Sequence, residues 1–194
     1  MGEKNHRGPH ICPWYMAYLF DNPLRSLIHD PEKILGDYVK PGMTVLDIGC
    51  GMGFFSLGMA EMVGPEGKVI SLDVQDKMLE ILGKRARRRG LSECIDSRLV
   101  KEGPFPVEKP VNFALCFWMV HEVPDQAHFF RELNRVLNPG ANALIAEPGM
   151  HHVTPEDLEE TVRIASGEGF LVTERPKIRM SHAVVLEKLE LIDT

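Results

Sequence analysis

The chain has 194 residues, 44% of them hydrophobic and 26% charged, which excludes a disordered, collagen-like or coiled-coil polymer and suits one globular domain, or one domain with a small lid. Its 22 basic against 28 acidic residues leave a net charge of −6, so a nucleic acid is a poor main partner, although a local pocket can still take a small anion. No uninterrupted apolar run reaches the roughly 18 residues that a membrane-spanning helix needs, so no membrane partner is expected.

The elements follow in chain order. Residues 4–10 are polar. The apolar stretch 11–20 carries Pro13, Trp14, Tyr15 and Tyr18 and has no small-residue cleavage site after it, so it reads as folded protein rather than a signal peptide. Aromatic and apolar residues recur at helical spacing over 12–38, and Asp30-Pro31 is a helix start, with Asp as the cap and Pro as the first helical residue. After the Pro41-Gly42 turn the chain alternates. Strands are expected at 44–48, 68–72, 97–100, 111–117, 143–146, 170–173 and 183–189. Helices are expected at 54–62, 76–89 and 126–137, and a further one opens at Thr154-Pro155 and ends near 167–169. Gly64-Pro65, Gly90 and Pro139-Gly140 punctuate them as stops and turns. Short apolar strands between amphipathic helices predict a parallel sheet covered on both faces. The four cysteines, Cys12, Cys50, Cys94 and Cys116, lie far apart and form no C-x-x-C pair, which points to reduced thiols in a cytoplasmic protein. Nothing in the composition marks an oligomeric state.

The sharpest local signal is VLDIGCGMG, Val45 to Gly53, between a strand and a helix. An open α/β sheet binds its ligand at that place, and glycines there let the backbone turn tightly and touch the ligand. A dinucleotide fingerprint would need its third glycine at position 54, which is Phe54. Asp73 ends the second strand, twenty residues beyond Gly53. A carboxylate there can accept both hydroxyls of a ribose, or it can simply cap the strand end, and by itself it does not separate one nucleotide cofactor from another.

With Asp47 ahead of Gly49, Gly51 and Gly53, the pattern D-x-G-x-G-x-G resembles the class I S-adenosylmethionine (SAM) dependent methyltransferases, in particular their small-molecule type, similar to the branch that serves ubiquinone and menaquinone biosynthesis. The resemblance runs from about residue 34 to 188 through FWMVHEVPD (117–125), FFRELNRVLNPGA (129–141) and EGF (168–170). It implies an α/β, Rossmann-like, seven-stranded and mostly parallel sheet in the order 3-2-1-4-5-7-6 with helices on both faces. It further implies an N-terminal helical lid over residues 1–40 and a SAM-binding domain over 41–194. On this likeness Asp47 and the turn at Gly49, Cys50, Gly51 and Gly53 hold the amino-acid end of SAM, and Asp73 holds the ribose. Val74 and Met78 lie by the adenine, and Phe117 and Trp118 flank the cofactor. Where the family reads the adenine amino group, this chain has the shorter LVKEGPFPV (99–107), in which Glu102 is the candidate. The implied reaction moves a methyl group to a small-molecule acceptor. Two rivals remain: a SAM-binding protein without transfer activity, and an NAD(P)-dependent oxidoreductase, against which Phe54 and Asp47 argue.

Three residues are candidates for the chemistry itself. His121 follows the fourth strand and can remove a proton, orient an acceptor or bond the cofactor, or else be a turn histidine that packs on the next helix. Glu147 ends the fifth strand and faces the acceptor or caps the next loop. Tyr18 belongs to the aromatic group Trp14, Tyr15 and Tyr18, which covers the acceptor or packs the lid onto the sheet. Cys12 is a soft-substrate thiol or a buried one. His151-His152 are adjacent and have no matching acid, so no metal is expected. The cluster Lys84, Arg85, Arg87, Arg88 and Arg89 reads as a solvated face near a helix C-terminus.

Overall fold

A computed structural model describes residues 25–101, 103–149 and 153–190. Cys12, Trp14, Tyr15, Tyr18, Glu102, His151 and His152 lie outside these described residues. The elements are α1 (Arg25–Ile28), α2 (Pro31–Leu35), β1 (Thr44–Ile48), α3 (Phe54–Val63), β2 (Lys68–Asp73), α4 (Asp76–Arg89), β3 (Ile95–Leu99), β4 (Val111–Phe117), a 3-10 turn (Val120–Glu122), α5 (Gln126–Val136), β5 (Leu137–Pro148), α6 (Pro155–Gly167), β6 (Phe170–Glu174) and β7 (Ser181–Lys188).

The strands form one seven-stranded sheet in the order β3-β2-β1-β4-β5-β7-β6. β1 to β5 are mutually parallel, and β7 runs antiparallel to both β5 and β6. The chain moves outward from β1 to β3, then returns to the other side of β1 as β4. The crevice between the carboxyl ends of β1 and β4 is therefore the place where strand order reverses, and such a crevice is where open α/β sheets bind ligands.

Alternation along each central strand feeds two cores. Leu46 and Ile48 join Ile70, Leu72, Ala114, Phe130 and Leu133 on one face. Val45 joins Val69, Phe113, Leu115, Phe55 and Met59 on the other. By the same parity Asp47 belongs to the Val45 face, which α3 covers, so the one acid in TVLDI is carried into the interior. The part of the segment before β1 that the structure describes packs on this same face. Leu35 and Val39 are buried there, Pro31 lies against Gly58 of α3, and Tyr38 stacks on Phe113 at 5.7 Å between centroids.

Local chemistry sets the helix ends. The Asp30 side chain accepts from Glu32 N with Pro31 as the first helical residue, as the sequence led one to expect. Asp125 caps α5 through His128 N. Thr154 and Asp157 form a reciprocal capping box at α6. Gly90 ends α4 in the left-handed region just after Arg87, Arg88 and Arg89.

β5 departs from expectation. It starts at Leu137, ahead of the Pro139-Gly140 turn, instead of at 143. Its pairing with β4 shifts register between Val111 and Phe113, and Gly140 has φ 71°, so the turn is a bulge inside a longer strand. β3 runs from Ile95 to Leu99, two residues ahead of the expected start, because its ladder begins where Ile95 meets Val69.

Candidate functional site

The glycine turn is anchored from below by β2: Gly49 N and Cys50 N both donate to Leu72 O, at 2.8 and 3.0 Å. Gly49, Gly51 and Gly53 all have positive φ, but for different neighbours. A Cβ at Gly49 would lie 2.9 Å from Met119 Cγ, and one at Gly53 would lie 2.2 Å from Leu82 Cδ1. A Cβ at Gly51 would meet nothing within 4 Å. The outer two glycines let the turn pack on β4's exit and on α4, whereas the middle one presents bare backbone to open space.

Two buried carboxylates lie by the turn, both close enough to act on its Cys50. Asp47, 2% exposed, accepts from Ser56 Oγ at 2.5 Å, and Ser71 Oγ donates in turn to Ser56 Oγ at 2.9 Å. Burial pushes the Asp47 carboxyl up to about 6; the Ser56 bond and the Arg25 charge pull it down, and the Asp73 charge pushes it further up. Asp73, 7% exposed, accepts from Gly51 N (2.9 Å) and Gln75 N (2.8 Å). Burial raises its pKa as well, against those backbone bonds. Each oxygen of Asp73 keeps a second lone pair for a further donor. Two acids held in a low-dielectric crevice favour a ligand that brings a cation and hydroxyl groups. That is the donor set of SAM, whose ammonium and ribose hydroxyls match these acceptors, so the residues present fit the cofactor.

An aromatic wall closes the α3 side. Phe117 and Phe55 lie 4.4 Å apart at their centroids, and Trp118 extends the wall, with its indole Nε1 donating to Ser181 Oγ at 2.9 Å. The Arg25 guanidinium lies over Phe54 at 4.6 Å and within 5.8 Å of Phe117 and Trp118, as a cation–π contact. His29, buried, holds Arg179 O at 2.8 Å and meets Phe117 and Trp118 edge-on. Reading the sequence for motifs missed Arg25, Ser56, Ser71 and His29, because none of them stands in a recognisable spacing.

Trp118 has φ 60°, unusual for a large side chain, and this bend turns the chain out of β4 toward Met119 and the 3-10 turn. His121 sits in that turn. Its Nδ1 is hydrogen-bonded to Glu147 Oε2, while Glu147 Oε1 accepts from Val120 N at 2.9 Å. Val74, 53% exposed, stands on the same carboxyl edge just past Asp73, and Met78 is buried in α4 close by in sequence. Cys50 is buried, and burial lifts its thiol well above the ordinary range. Thus Asp47, the glycine turn, Asp73, Val74, Phe117, Trp118, His121 and Glu147 all come to the carboxyl edge of the sheet. Within the basic cluster, Arg85 donates to Met52 O at 3.1 Å, and Arg89 pairs with Glu61 at 3.4 Å.

A family model described as a methyltransferase domain matches residues 39–178. The chain belongs to this family. Among solved structures, a SAM-dependent methyltransferase from Aquifex aeolicus superposes with a TM-score of 0.81 at 28% identity, over 91% of this chain and 99% of that one. Among curated relatives, the 2-phytyl-1,4-naphtoquinone methyltransferase of Synechococcus elongatus is 36% identical over 110 residues, 56% of this chain and 47% of the relative. The arsenite methyltransferase of Halobacterium salinarum is 32% identical over 122 residues, 62% of this chain and 31% of the relative. The chain thus spans about half the length of the first relative and about a third of the second. The sheet described above is the SAM-dependent methyltransferase fold, with its seven strands in the expected order. No helix among the described residues of this methyltransferase domain is long and apolar enough to cross a membrane.

Proposed function

We propose that this methyltransferase domain moves the methyl group of SAM to a small-molecule acceptor held at the carboxyl edge of the sheet. The observation that carries the reading is the pair of buried acids, Asp47 at the head of the glycine turn and Asp73 bonded to its Gly51 N, beside the open space at Gly51. When bound, SAM supplies a methyl group already activated by its sulfonium. Asp47 would pair with the cofactor's ammonium, and Gly51 would let the cofactor approach the main chain. Asp73 would take the ribose hydroxyls with its remaining lone pairs while its bond to Gly51 N holds the turn in place. Val74 and Met78 would border the adenine. The wall of Phe54, Phe55, Phe117 and Trp118 excludes water and leaves positioning as the protein's main task. A planar quinol ring is the first acceptor to try, since it suits an aromatic wall and the name of the naphtoquinone relative. A cytoplasmic location is part of the proposal, supported by the free buried thiols of Cys50, Cys94 and Cys116.

Calorimetric titration with S-adenosylhomocysteine and with NAD tests this. The expected result is binding of the first and not of the second. Affinity should fall as pH drops through about 6, where Asp47 gains its proton, by up to roughly tenfold per pH unit, and should level off above. Binding of NAD with no response to S-adenosylhomocysteine would sink the proposal.

Asp73→Ala should weaken S-adenosylhomocysteine binding roughly ten- to hundredfold, since hydrogen bonds to a charged group are worth about 1.5–3 kcal/mol. A ribose-deoxygenated analogue should lose much less affinity on the variant than on the parent. Equal losses on both proteins would remove Asp73 from the ribose site.

A further inference from the structure

We infer that His121 and Glu147 form a proton-accepting dyad in which His121 Nε2 takes a proton from the acceptor and Glu147 holds the ring, so that the acceptor is one that must lose a proton when it is methylated. The inference rests on the transfer reading above and narrows its substrate class.

Four observations carry it. First, Glu147 is 1% exposed and both its oxygens are engaged, one by Val120 N and one by His121 Nδ1, so it supports the turn rather than facing a substrate. Second, a carboxylate on Nδ1 keeps the proton on that nitrogen and leaves Nε2 with its lone pair, the tautomer a base requires. Third, the His121 side chain is 28% exposed, so the ring is reachable from outside while its partner is not. Fourth, the turn that bears it is seated on the cofactor loop, because Met119, two residues earlier, fills the space beside Gly49.

The charges around the ring favour the protonated product of the step. Glu147 reaches it from β5, and Glu122 on the 3-10 turn lies 3.9 Å from Nε2. On β7, His182 is the register partner of Glu147. Burial pulls the His121 pKa down, but the hydrogen bond that Nδ1 donates to Glu147 and the charges of Glu147 and Glu122 outweigh it and leave it above the ordinary histidine value. A base near neutrality serves general-base transfer well.

The balance of the step is simple. The bond between the acceptor atom and the methyl carbon forms as the carbon–sulfur bond of SAM breaks and leaves its electron pair on sulfur. The proton of the acceptor's O–H, or of an acidic C–H, passes to Nε2, and the imidazolium so formed is paired with Glu147. A soft acceptor that attacks through a free lone pair, such as arsenite, has no use for this dyad.

The test uses the full chain with 15N-labelled histidine. His121 signals are assigned by their loss in His121→Gln, and the ring nitrogens are followed by long-range 1H–15N correlation across pH. The expected result in the parent protein is protonated Nδ1, bare Nε2 and a pKa above 6.5. In Glu147→Gln the amide keeps an oxygen for Val120 N but offers an N–H to Nδ1, so the proton should move to Nε2 and the pKa should fall. A parent protein with its proton on Nε2, or a variant with the parent's tautomer, overturns the dyad, and neither readout depends on turnover. The acceptor class is tested by offering a naphthohydroquinone and arsenite with labelled SAM. Transfer to the hydroquinone is expected, with kcat down roughly 10²–10⁴-fold in Glu147→Gln, KM within a few-fold and the rising limb of the pH profile displaced. Transfer to arsenite, or to neither acceptor while S-adenosylhomocysteine still binds, overturns that class. Failure to bind S-adenosylhomocysteine at all would instead count against the methyltransferase reading beneath it.

Discussion

Asp47→Asn is expected to make the unliganded protein more stable and to remove most of its affinity for S-adenosylhomocysteine. The carboxyl is buried, and its pKa in the folded chain is about 6 against 3.8 when free. A rise of that size corresponds to about 3 kcal/mol of cost for keeping the group ionised. The sign follows from linkage: the folded state binds this proton more tightly than the unfolded state does. The group therefore carries no penalty below pH 4, acquires it as pH rises toward 6, and holds it in full above. Asparagine has no charge to bury, and its oxygen still accepts from Ser56 Oγ. Its NH2 group loses its water, which offsets about 1 kcal/mol. The net gain of about 2 kcal/mol at pH 8 should raise the melting midpoint by roughly 4–8 °C. The difference between the two proteins should shrink to nothing or reverse below pH 4. Equal midpoints at pH 8, or parent-like affinity in the variant, would show that Asp47 is not the buried cation partner described here.

Gly51→Val and Gly53→Ala should fail in opposite ways, although the two positions share a motif. Both residues have positive φ, so a side chain costs about 1–2 kcal/mol at either one. At Gly53 the added Cβ would lie 2.2 Å from Leu82 Cδ1, and Leu82 is fully buried among Cys50, Leu57, Leu79 and Ala86. Relieving that overlap costs a further 1–3 kcal/mol or so, and the expected outcome is a domain that melts early. At Gly51 nothing beyond the adjoining residues lies within 4 Å of the new Cβ. The Val side chain should lower the midpoint by no more than the roughly 2–8 °C that the backbone strain alone costs, and fill the space through which the cofactor reaches the backbone. Titration should then show at least a hundredfold loss of S-adenosylhomocysteine binding. A Gly51→Val protein that melts as early as Gly53→Ala, or one that binds normally, would mean that the middle glycine serves packing and not the ligand.

Much of this is visible in the residues themselves, because it is local. The buried run TVLDI, the glycines behind it and the helix that opens at Phe54 are one strand–turn–helix unit, and its limits follow from period and punctuation. Asp30-Pro31 and Thr154-Pro155 announce their helices for the same reason: a cap is a contact between residues three or fewer apart. The resemblance carried by D-x-G-x-G-x-G supplied the sheet order, which periodicity alone does not contain.

What only the tertiary structure decided comes from contacts between residues far apart in the chain. β5 runs from Leu137 because Leu137 finds Val111 across a bulge, a pairing that Pro139-Gly140 hides from any local reading. The three glycines of one motif divide into two that pack and one that opens, and that division lies in Met119 and Leu82 rather than in the turn. Glu147 and His121, 26 residues apart, meet because β4 and β5 are parallel neighbours and Trp118 bends the chain back over their ends. Arg25 reaches the Phe54 and Trp118 rings from a segment with no motif at all. Sequence pattern reports which face of an element is apolar. It does not report which side chain waits on the facing element, and the charge, tautomer and open space of a site depend on that neighbour.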